Sequence, residues 1–268
     1  MNIVNKTKKR PVMITGASSG IGQALALRYA QAGHPLILTA RNPERLRSVE
    51  KSCQEKGAPE VVLLALDLAQ PESIAQCADA TLDYHCPWLL INNAGISQRS
   101  FALETNMKVY QQIMQIDFLG TVDLTKRLLP AMLEQDGAQI ATVSSLTGKF
   151  GTQYRSGYAA AKHALHGFFE SLRAEIDPKK LSITLLCPGF IRTQISVNSL
   201  TGDGSALNKM DDAQAGGMPP EVLAEKAFKA IRKKKPEVFI GGKEVLGVYL
   251  FRLWPNLFRK ILRKTQVR

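Results

Sequence analysis

Cysteine, histidine and long apolar runs are scarce in this 268-residue chain, and their scarcity excludes several kinds of protein. The four cysteines lack the short spacings of metal-binding motifs, and the four histidines form no ligand cluster in the sequence. We therefore predict no metal site and expect reduced, buried thiols in a cytosolic protein. The cysteines are Cys53, Cys77, Cys86 and Cys187.

No segment has the composition of a signal peptide or of a membrane span. Residues 1–10 are polar and basic, without an apolar core, and are expected to form a flexible arm. Residues 245–254 are almost wholly apolar but supply only about half of the ~20 residues needed to cross a bilayer. Internal repeats, low-complexity stretches and interdomain linkers are also absent. The sequence thus predicts one cytoplasmic domain over residues 11–245, large enough to bury a sizeable core.

Acidic residues are in deficit, and the net charge is +12. Residues 229–268 alone hold twelve Lys and Arg against two Glu. The basic run 232–235 has no interleaved aromatic residues, so we expect no nucleic-acid partner. In residues 257–264, pairs of apolar and basic residues alternate, which gives a helix one apolar and one basic face. We expect this C-terminal extension, residues 246–268, to contact an anionic membrane surface, or to pack on a neighbouring subunit or over a substrate pocket.

Short apolar runs alternate with helical patterns along the chain. This order predicts right-handed crossovers and an α/β domain whose parallel, doubly wound sheet has helices on both faces. The strands after the first are expected at 36–40, 61–66, 88–91, 139–144, 182–187 and 237–240, and the helices near 20–32, 43–56, 71–82, 105–135, 156–177 and 219–234.

A glycine-rich junction follows the first strand, where an apolar run ends at Gly16 and a helical pattern begins near Gly20. Glycines there allow a tight turn and close approach of the backbone to a pyrophosphate, which the helix N-terminus attracts. A plain strand-to-helix turn is the alternative. Because the junction belongs to the first strand of an alternating pattern, nucleotide binding in a Rossmann-type fold is favoured.

Two residues at the ends of the next strands bear on the choice of cofactor. Arg41 follows the second strand, where an acidic residue would hold a ribose hydroxyl and an arginine can pair with a 2′-phosphate. We therefore predict NADP(H) in preference to NAD(H), although Arg41 as an ordinary exposed charge remains the alternative. Asp67, after the third strand, would either accept a hydrogen bond from the adenine amino group or cap the helix that follows.

Tyr158 and Lys162 lie four residues apart in a helical pattern, so both side chains project from one face. A cation held beside a phenol favours the phenolate, which makes a tyrosine a workable acid and base at neutral pH. Alone, this spacing is also common on solvated helix faces. Ser145 ends the fifth strand thirteen residues earlier and would lie at the same edge of the sheet.

Five motifs stand in a fixed order along the chain: Thr15-Gly16-x-x-x-Gly20-x-Gly22, Asn92-Asn93-Ala94-Gly95, Ser145, Tyr158-x-x-x-Lys162 and Pro188-Gly189-x-x-x-Thr193. In order and spacing they resemble the short-chain dehydrogenase/reductase family over residues 10–245. Residues 196–205 and the tail at 249–264 are similar to the "member 7" branch of that family, which implies lipid-like carbonyl substrates.

The resemblance implies a role for each motif. Ser145 would hydrogen-bond the substrate oxygen, and Tyr158 would donate or accept its proton. Lys162 would favour the phenolate and hold the nicotinamide ribose, while Thr193 would bind the carboxamide and Asn93 would line the cofactor groove. The full set expected to bind the cofactor is Gly16, Ser18, Ser19, Gly20, Ile21, Gly22, Arg41, Asp67, Asn93, Ala94, Gly95, Tyr158, Lys162, Pro188, Gly189, Ile191 and Thr193.

Asp117 departs from the family pattern, which has an asparagine in the helix after the fourth strand. In the family, the backbone carbonyl of that residue holds a water that joins the lysine to solvent, and an aspartate can keep this role. Its carboxylate would also strengthen the ammonium of Lys162 and weaken its pull on Tyr158. We therefore expect Asp117 to act in the catalytic group and to reduce activity relative to asparagine. A salt bridge within the helix packing is the alternative.

These features predict an NADP(H)-dependent oxidoreductase that interconverts a carbonyl and an alcohol on an apolar, lipid-like substrate. An NADP(H)-binding sensor or membrane-docking protein with little turnover is the alternative. Residues 194–220 are expected to form a mobile lid, in which Leu200, Leu207, Met210 and Met218 either contact the ligand or anchor the loop. The family resemblance implies a homodimer or homotetramer built through the helices at 105–135 and 156–177.

Overall fold

The computed structural model describes residues 9–264, which form a seven-stranded sheet between two layers of helices. All strands are parallel, in the order β3-β2-β1-β4-β5-β6-β7. The strands are β1 Val12–Thr15, β2 Leu36–Ala40, β3 Val61–Ala65, β4 Leu89–Asn92, β5 Ala138–Val143, β6 Leu181–Pro188 and β7 Glu237–Ile240. The predicted doubly wound fold is thus confirmed.

The helices cover both faces of the sheet. They are α1 Gly20–Gln31, α2 Arg47–Glu55, α3 Pro71–Tyr84, α4 Met107–Met114, α5 Gly120–Leu133, α6 Ser156–Glu175, α7 Asp212–Ala215, α8 Pro220–Arg232, α9 Leu246–Leu253 and α10 Pro255–Lys264. None of them, within residues 9–264, combines the length and apolarity that crossing a bilayer requires.

The core is divided into two layers by the sheet itself. Val12 and Ile14 of β1 pack in one cluster with side chains of α1, α2 and α8. Met13, between them, packs in a second cluster with side chains of α3, α5 and α6. Because successive side chains of a strand point to opposite faces, a strand covered on both faces must be apolar throughout. This explains why β1, β2 and β4 are wholly buried.

The helix predicted over 105–135 is interrupted by a π-helical turn. A regular helix ends at Met114, Gln115–Leu119 form the π turn, and α5 continues from Gly120. A Cβ at Gly120 would lie 2.3 Å from the carbonyl oxygen of Leu68, so α5 packs directly on the backbone after β3. Asp117 is within the π turn. The helix predicted over 43–56 likewise begins as a 3₁₀ turn, Pro43–Leu46, capped by Asn42.

Residues 194–220 are largely irregular, but hydrogen bonds attach the segment to the rest of the domain at several places, including Leu200 and Met218. Leu200 exchanges backbone hydrogen bonds with Ser97 and Arg99, both at 2.8 Å. Met218 donates to Phe190 at 2.9 Å and accepts from Arg192 at 3.0 Å. The mobility of this lid remains a prediction. Of the basic arm expected at residues 1–10, residues 1–8 lie outside the described part of the chain.

Candidate active site

A cavity of about 650 Å³ opens at the carboxyl edge of the sheet. Parallel α/β sheets bind ligands at this edge, where the loops after the strands meet. Ser145, Tyr158, Lys162 and Asp117 all line the cavity. So does every residue of the expected cofactor set except Gly22. The structure therefore brings the motifs into one site, although they are spread over most of the chain.

The turn after β1 requires glycine at three positions, because side chains there would strain or block the backbone. Such a turn allows a dinucleotide to approach the backbone closely. Gly16 and Gly20 have φ angles of +64° and +56°, which side chains disfavour. A Cβ on Gly22 would lie 2.2 Å from the carbonyl oxygen of Gly16, so this glycine allows α1 to approach β1 rather than contacting a ligand. No side chain caps the N-terminus of α1, which leaves its first N–H groups to face an anion.

Asn93 braces the sheet edge beside this turn. Its amide donates to the carbonyl oxygens of Thr15 at 2.8 Å and Gly16 at 3.2 Å. The hydroxyl of Thr15 accepts from the backbone N–H groups of Asn93 and Ala94 at 2.9 and 3.0 Å. The turn is thereby fixed to β4. Thr15 belongs to the glycine motif, but its bond to Asn93 could not be predicted from the sequence, because the two residues lie 78 positions apart.

Arg41 and Asp67 lie at the end of the cavity that the second and third strands form. Arg41 is exposed on its rim, where a 2′-phosphate could reach it. Asp67 Oδ1 accepts from the backbone N–H of Ala69 at 2.9 Å, and Ser73 Oγ accepts from the N–H of Asp67 at 3.0 Å. Asp67 thus stabilises the turn before α3, while its side chain also lines the cavity.

Ser145 is held by a neighbour that the sequence did not single out. Its hydroxyl oxygen accepts from the backbone N–H of Thr147 at 3.1 Å and from the Thr147 hydroxyl at 3.0 Å. With its oxygen accepting both bonds, the Ser145 hydroxyl can direct its hydrogen toward a ligand oxygen in the cavity. Thr147 therefore orients Ser145.

Lys162 lies between Tyr158 and Asp117. Its Nζ is 5.4 Å from the centre of the Tyr158 ring and 3.3 Å from Asp117 Oδ2, and it donates to the carbonyl oxygen of Val143 at 3.2 Å. Asp117 Oδ1 accepts from the backbone N–H of Ile96 at 2.8 Å. The side chains of Lys162 and Asp117 are 5% and 0% exposed, so water screens this ion pair little.

Burial and the ion pair act in opposite directions on Lys162. Burial alone would lower the pKa of Lys162, but the charges of Asp117 and Tyr158 outweigh it, and the pKa of Lys162 is raised. Burial raises the pKa of Asp117, against the opposing effects of Lys162 and the Ile96 N–H. Lys162 is thus protonated at neutral pH, with a carboxyl group as its neighbour.

The loop after β6 lines the cavity beside the glycine turn. Thr193 lies over Gly20, so that a Cβ on Gly20 would come within 3.1 Å of the Thr193 methyl group. Glu244 Oε1 accepts from the backbone N–H of Phe190 at 3.1 Å, and a Cβ on Gly189 would lie 2.2 Å from that oxygen. Glu244 also lines the cavity, a position that no sequence motif indicated.

Two arginines near Tyr158 form a buried ion-pair cluster. Arg99 and Arg155 both line the cavity, and their guanidinium groups lie 2.7 and 3.2 Å from Asp211 Oδ2. Burial and the charge of Arg99 lower the pKa of Arg155 to about 10, although Asp211 and Tyr158 oppose this. Because Asp211 belongs to residues 194–220, the cluster attaches that segment to the site.

The C-terminal helices form part of the cavity wall. Phe258 of α10 is buried against Phe150 and Phe251, with ring centres 4.8 and 5.5 Å away. Leu250 and Leu262 line the cavity beside it. The tail therefore packs over the pocket, which is one of the three alternatives predicted for it. The opposite side of the tail remains exposed.

Of the four lid residues predicted either to contact a ligand or to anchor the loop, Leu200 alone lines the cavity. Met218 pairs with the loop after β6, and the sulfur of Met210 accepts from the Ser196 hydroxyl at 3.2 Å. These two methionines therefore anchor the loop, and Leu207 does so through a backbone bond to Ser199.

A polar cluster lies beneath Ser145. His166 Nε2 is 2.9 Å from the hydroxyl oxygen of Ser144, and its Nδ1 is 3.3 Å from Glu237 Oε1. Lys149 Nζ lies 2.8 Å from the same carboxylate oxygen. Cys187 is near enough for His166, Cys187 and Glu237 to resemble a set of metal ligands, which the sequence did not indicate. Lys149 already supplies a cation there, and we derive no metal site from the cluster.

Cys86 is half-buried, so the expectation that all four thiols are buried is wrong for it.

Comparison with known proteins identifies the family. A model of the short chain dehydrogenase family matches residues 10–203. The Drosophila melanogaster dehydrogenase/reductase SDR family protein 7-like is 38% identical over 98% of this chain and 82% of its own length. A short-chain dehydrogenase/reductase of Burkholderia phymatum in complex with NAD has a TM-score of 0.81 at 22% identity, with 97% of each chain covered. One from Sphingobium yanoikuyae in complex with NADPH has a TM-score of 0.76 at 22% identity, with 96% of each covered.

These matches agree with the fold and with the motifs gathered in the cavity. The two structural similarities, at 22% identity, show the fold. The sequence matches extend over most of the chain and show its ancestry. The chain belongs to the short-chain dehydrogenase/reductase family of nicotinamide-dependent oxidoreductases, in the branch of its member 7 proteins.

Proposed function

We propose that the protein interconverts a carbonyl and an alcohol on an apolar, lipid-like substrate, with NADP(H) as the preferred cofactor. The observation that carries this proposal is the common position of Ser145, Tyr158 and Lys162 at one cavity, with Lys162 Nζ 5.4 Å from the Tyr158 ring centre. A protein that only senses the cofactor needs no such group. The apolar wall formed by Phe150, Leu250 and other side chains supports an apolar substrate.

In the reductive direction, Ser145 would donate a hydrogen bond to the carbonyl oxygen and Tyr158 would donate a proton to it. Lys162 would stabilise the phenolate that this transfer leaves, and Thr147 would keep the Ser145 hydroxyl aimed at the substrate. The bound nicotinamide would supply the hydride that reaches the carbonyl carbon. In the oxidative direction the Tyr158 phenolate would accept the alcohol proton.

The cofactor would lie across the carboxyl edge of the sheet. The α1 N-terminus and the backbone of Gly16 and Gly20 would bind its pyrophosphate, and Thr193 its carboxamide. Arg41 supports NADP(H), because its exposed guanidinium on the cavity rim can pair with a 2′-phosphate. Asp67 has a second carboxylate oxygen besides the one bonded to Ala69, which can accept from the adenine amino group.

The assay is NADPH oxidation with a panel of steroid, retinoid and acylated ketones. We expect turnover of at least one apolar carbonyl and a loss of at least about a hundredfold in kcat for Tyr158→Phe, since the proton donor is removed. Tyr84→Phe is the matched control, because Tyr84 lies outside the cavity lining. Equal rates for Tyr158→Phe and the unaltered protein, with NADPH still bound, would favour the sensor.

Cofactor preference has its own test. Arg41→Ala should raise KM for NADPH about tenfold and leave KM for NADH nearly unchanged, because only NADPH carries the phosphate. Arg45→Ala is the matched control, because Arg45 does not line the cavity. An equal effect of both substitutions would contradict a phosphate contact at Arg41.

We also propose a homodimer or homotetramer built through α4, α5 and α6. Met107 at the start of α4 and Leu119 in the π turn before α5 are exposed large apolar residues, which supports an interface there. Sedimentation velocity measures the assembly, and Leu119→Ser should shift it toward monomer. A monomer in the unaltered protein would contradict the proposal.

A further inference from the structure

The two C-terminal helices expose a continuous apolar surface, which we call the tail face. Three of its side chains recur every three or four residues along α9 and so share one face of that helix. The other two continue the exposed surface, at the junction between the helices and on α10. Each is at least half exposed. The tail face consists of Leu246, Tyr249, Leu253, Trp254 and Leu257, with exposures of 66%, 52%, 63%, 59% and 50%.

The tail face is exposed even though α9 and α10 are firmly attached to the domain. Their other side packs firmly: Val248 and Phe258 are 6% and 7% exposed. Gly247 adjoins the rings of Phe258 and Phe150, at 3.3 and 3.6 Å from the position of its absent Cβ. The tail therefore has two apolar sides, one of which covers the cavity, while the other is largely open to solvent within residues 9–264.

The charge around the tail face is of one sign. Residues 245–264 contain five basic residues and no acidic one. All five are exposed, and none forms an ion pair within the described part of the chain. These residues are Arg252, Arg259, Lys260, Arg263 and Lys264.

We propose that the tail face docks on the surface of an anionic lipid bilayer. Exposed leucines and an interfacial tryptophan beside basic groups fit the boundary between lipid headgroups and acyl chains. Anionic headgroups attract the five basic residues, which no carboxylate of the described chain neutralises. The helices are too short to cross the bilayer, so the contact is peripheral.

A second copy of the chain is a poorer occupant for the same surface. Two-fold pairing of the tail face would set five basic residues against the same five on the other copy, without an acidic residue in the segment to offset them. A charged bilayer has no such repulsion. Because α9 and α10 also form the cavity wall, docking would bring that wall against the membrane.

Tryptophan fluorescence provides a local test. The chain has two tryptophans, and Trp88→Phe leaves Trp254 of the tail face as the sole emitter. Its emission should shift to the blue on mixing with vesicles of phosphatidylcholine and phosphatidylserine, and brominated lipid should quench it. Phosphatidylcholine vesicles alone should give a much smaller change. Co-sedimentation of the unaltered protein with both vesicle types measures binding without substitution.

Two double variants and a control separate the contributions. Leu253→Ser with Trp254→Ser, and Arg263→Gln with Lys264→Gln, should each reduce partitioning onto anionic vesicles at least about tenfold. The control is Lys233→Gln with Lys235→Gln, which removes the same charge from the exposed end of α8 and should change partitioning by less than about twofold.

Three outcomes would overturn the proposal. The first is equal loss in the control and the tail variants, which would show a general charge effect. The second is unshifted Trp254 emission with anionic vesicles. The third is a smaller oligomer, with unaltered vesicle binding, in the Leu253→Ser and Trp254→Ser variant, which would identify the tail face as a subunit interface. None of these measurements depends on turnover, so they are independent of the proposed reaction.

Discussion

Replacing Asp117 with asparagine tests how the charge beside Lys162 affects the reaction. Asp117 Oδ2 lies 3.3 Å from Lys162 Nζ, and Nζ lies 5.4 Å from the Tyr158 ring centre. These distances put the carboxylate no more than about 9 Å from that ring, where an effective dielectric of about 20 gives a repulsion of about 2 kcal/mol with a phenolate. The substitution removes this repulsion.

Asparagine keeps the other contacts of Asp117. Its amide oxygen can accept from the Ile96 N–H, as Oδ1 does now, and Lys162 retains the carbonyl oxygen of Val143. We therefore expect Asp117→Asn to raise kcat between about threefold and tenfold, since part of the roughly 2 kcal/mol is screened by the cofactor and water. The stability of the protein should fall by about 1–3 kcal/mol, because a buried ion pair is broken.

The assay is alcohol oxidation with NADP⁺ across about pH 6–10, for a substrate found in the carbonyl panel. The phenolate is the base in this direction, so the midpoint of the pH profile should move to lower pH by up to about one unit in Asp117→Asn. Asp123→Asn is the control, since Asp123 forms an exposed ion pair with Arg127 in α5. An equal or lower rate in Asp117→Asn would refute the reasoning.

Three further substitutions follow from the packing. Gly22→Ala should destabilise the protein by about 3 kcal/mol in urea unfolding, because its Cβ would overlap a backbone oxygen; unchanged stability would contradict the close contact of α1 with β1. Phe258→Ala should cost about 3 kcal/mol and enlarge the range of accepted substrates, whereas an unchanged unfolding midpoint would show that the tail packs loosely. Burial alone would raise the pKa of Glu237, but bonds from His166 and Lys149 lower it to about 2. The ionised carboxylate therefore stabilises the fold above about pH 4.5, and this stabilisation is lost as the pH falls toward about 2. Glu237→Gln should lower the free energy of unfolding by about 3 kcal/mol at pH 7 and make it depend less on pH in the acid range. Parallel curves of unfolding free energy against pH for the two proteins would contradict this.

The strands could be predicted to within a residue or two because both faces of the sheet are covered. In a chain of this composition, a short continuous apolar run such as Leu36–Ala40 indicates a strand that is buried on both faces. The motif residues could also be selected from their short sequence spacings, and the structure places nearly all of them at one cavity. What brings them together is the topology, and the alternation of strands and helices was enough to place the strand ends at one edge.

The parts that could not be predicted depend on long-range partners. Asp211 and Arg99 are 112 positions apart, and nothing near either residue indicates that the two would be buried together. The π turn at Gln115–Leu119 was not predicted, since residues 105–135 were interpreted as one continuous helix. Propensity and periodicity describe single segments, and these features arise only where segments meet.

Glu244 is a contact of this long-range kind, and it connects the loop after β6 with the C-terminal tail. Its carboxylate accepts from Phe190 N–H at 3.1 Å in the loop after β6, and from Gly242 N–H at 3.0 Å just before α9. The loop whose Thr193 lies over Gly20 at the glycine turn is therefore joined through one side chain to the segment just before α9. Because α9 and α10 also form part of the cavity wall, the same carboxylate connects the two parts of the site on which the two proposals rest.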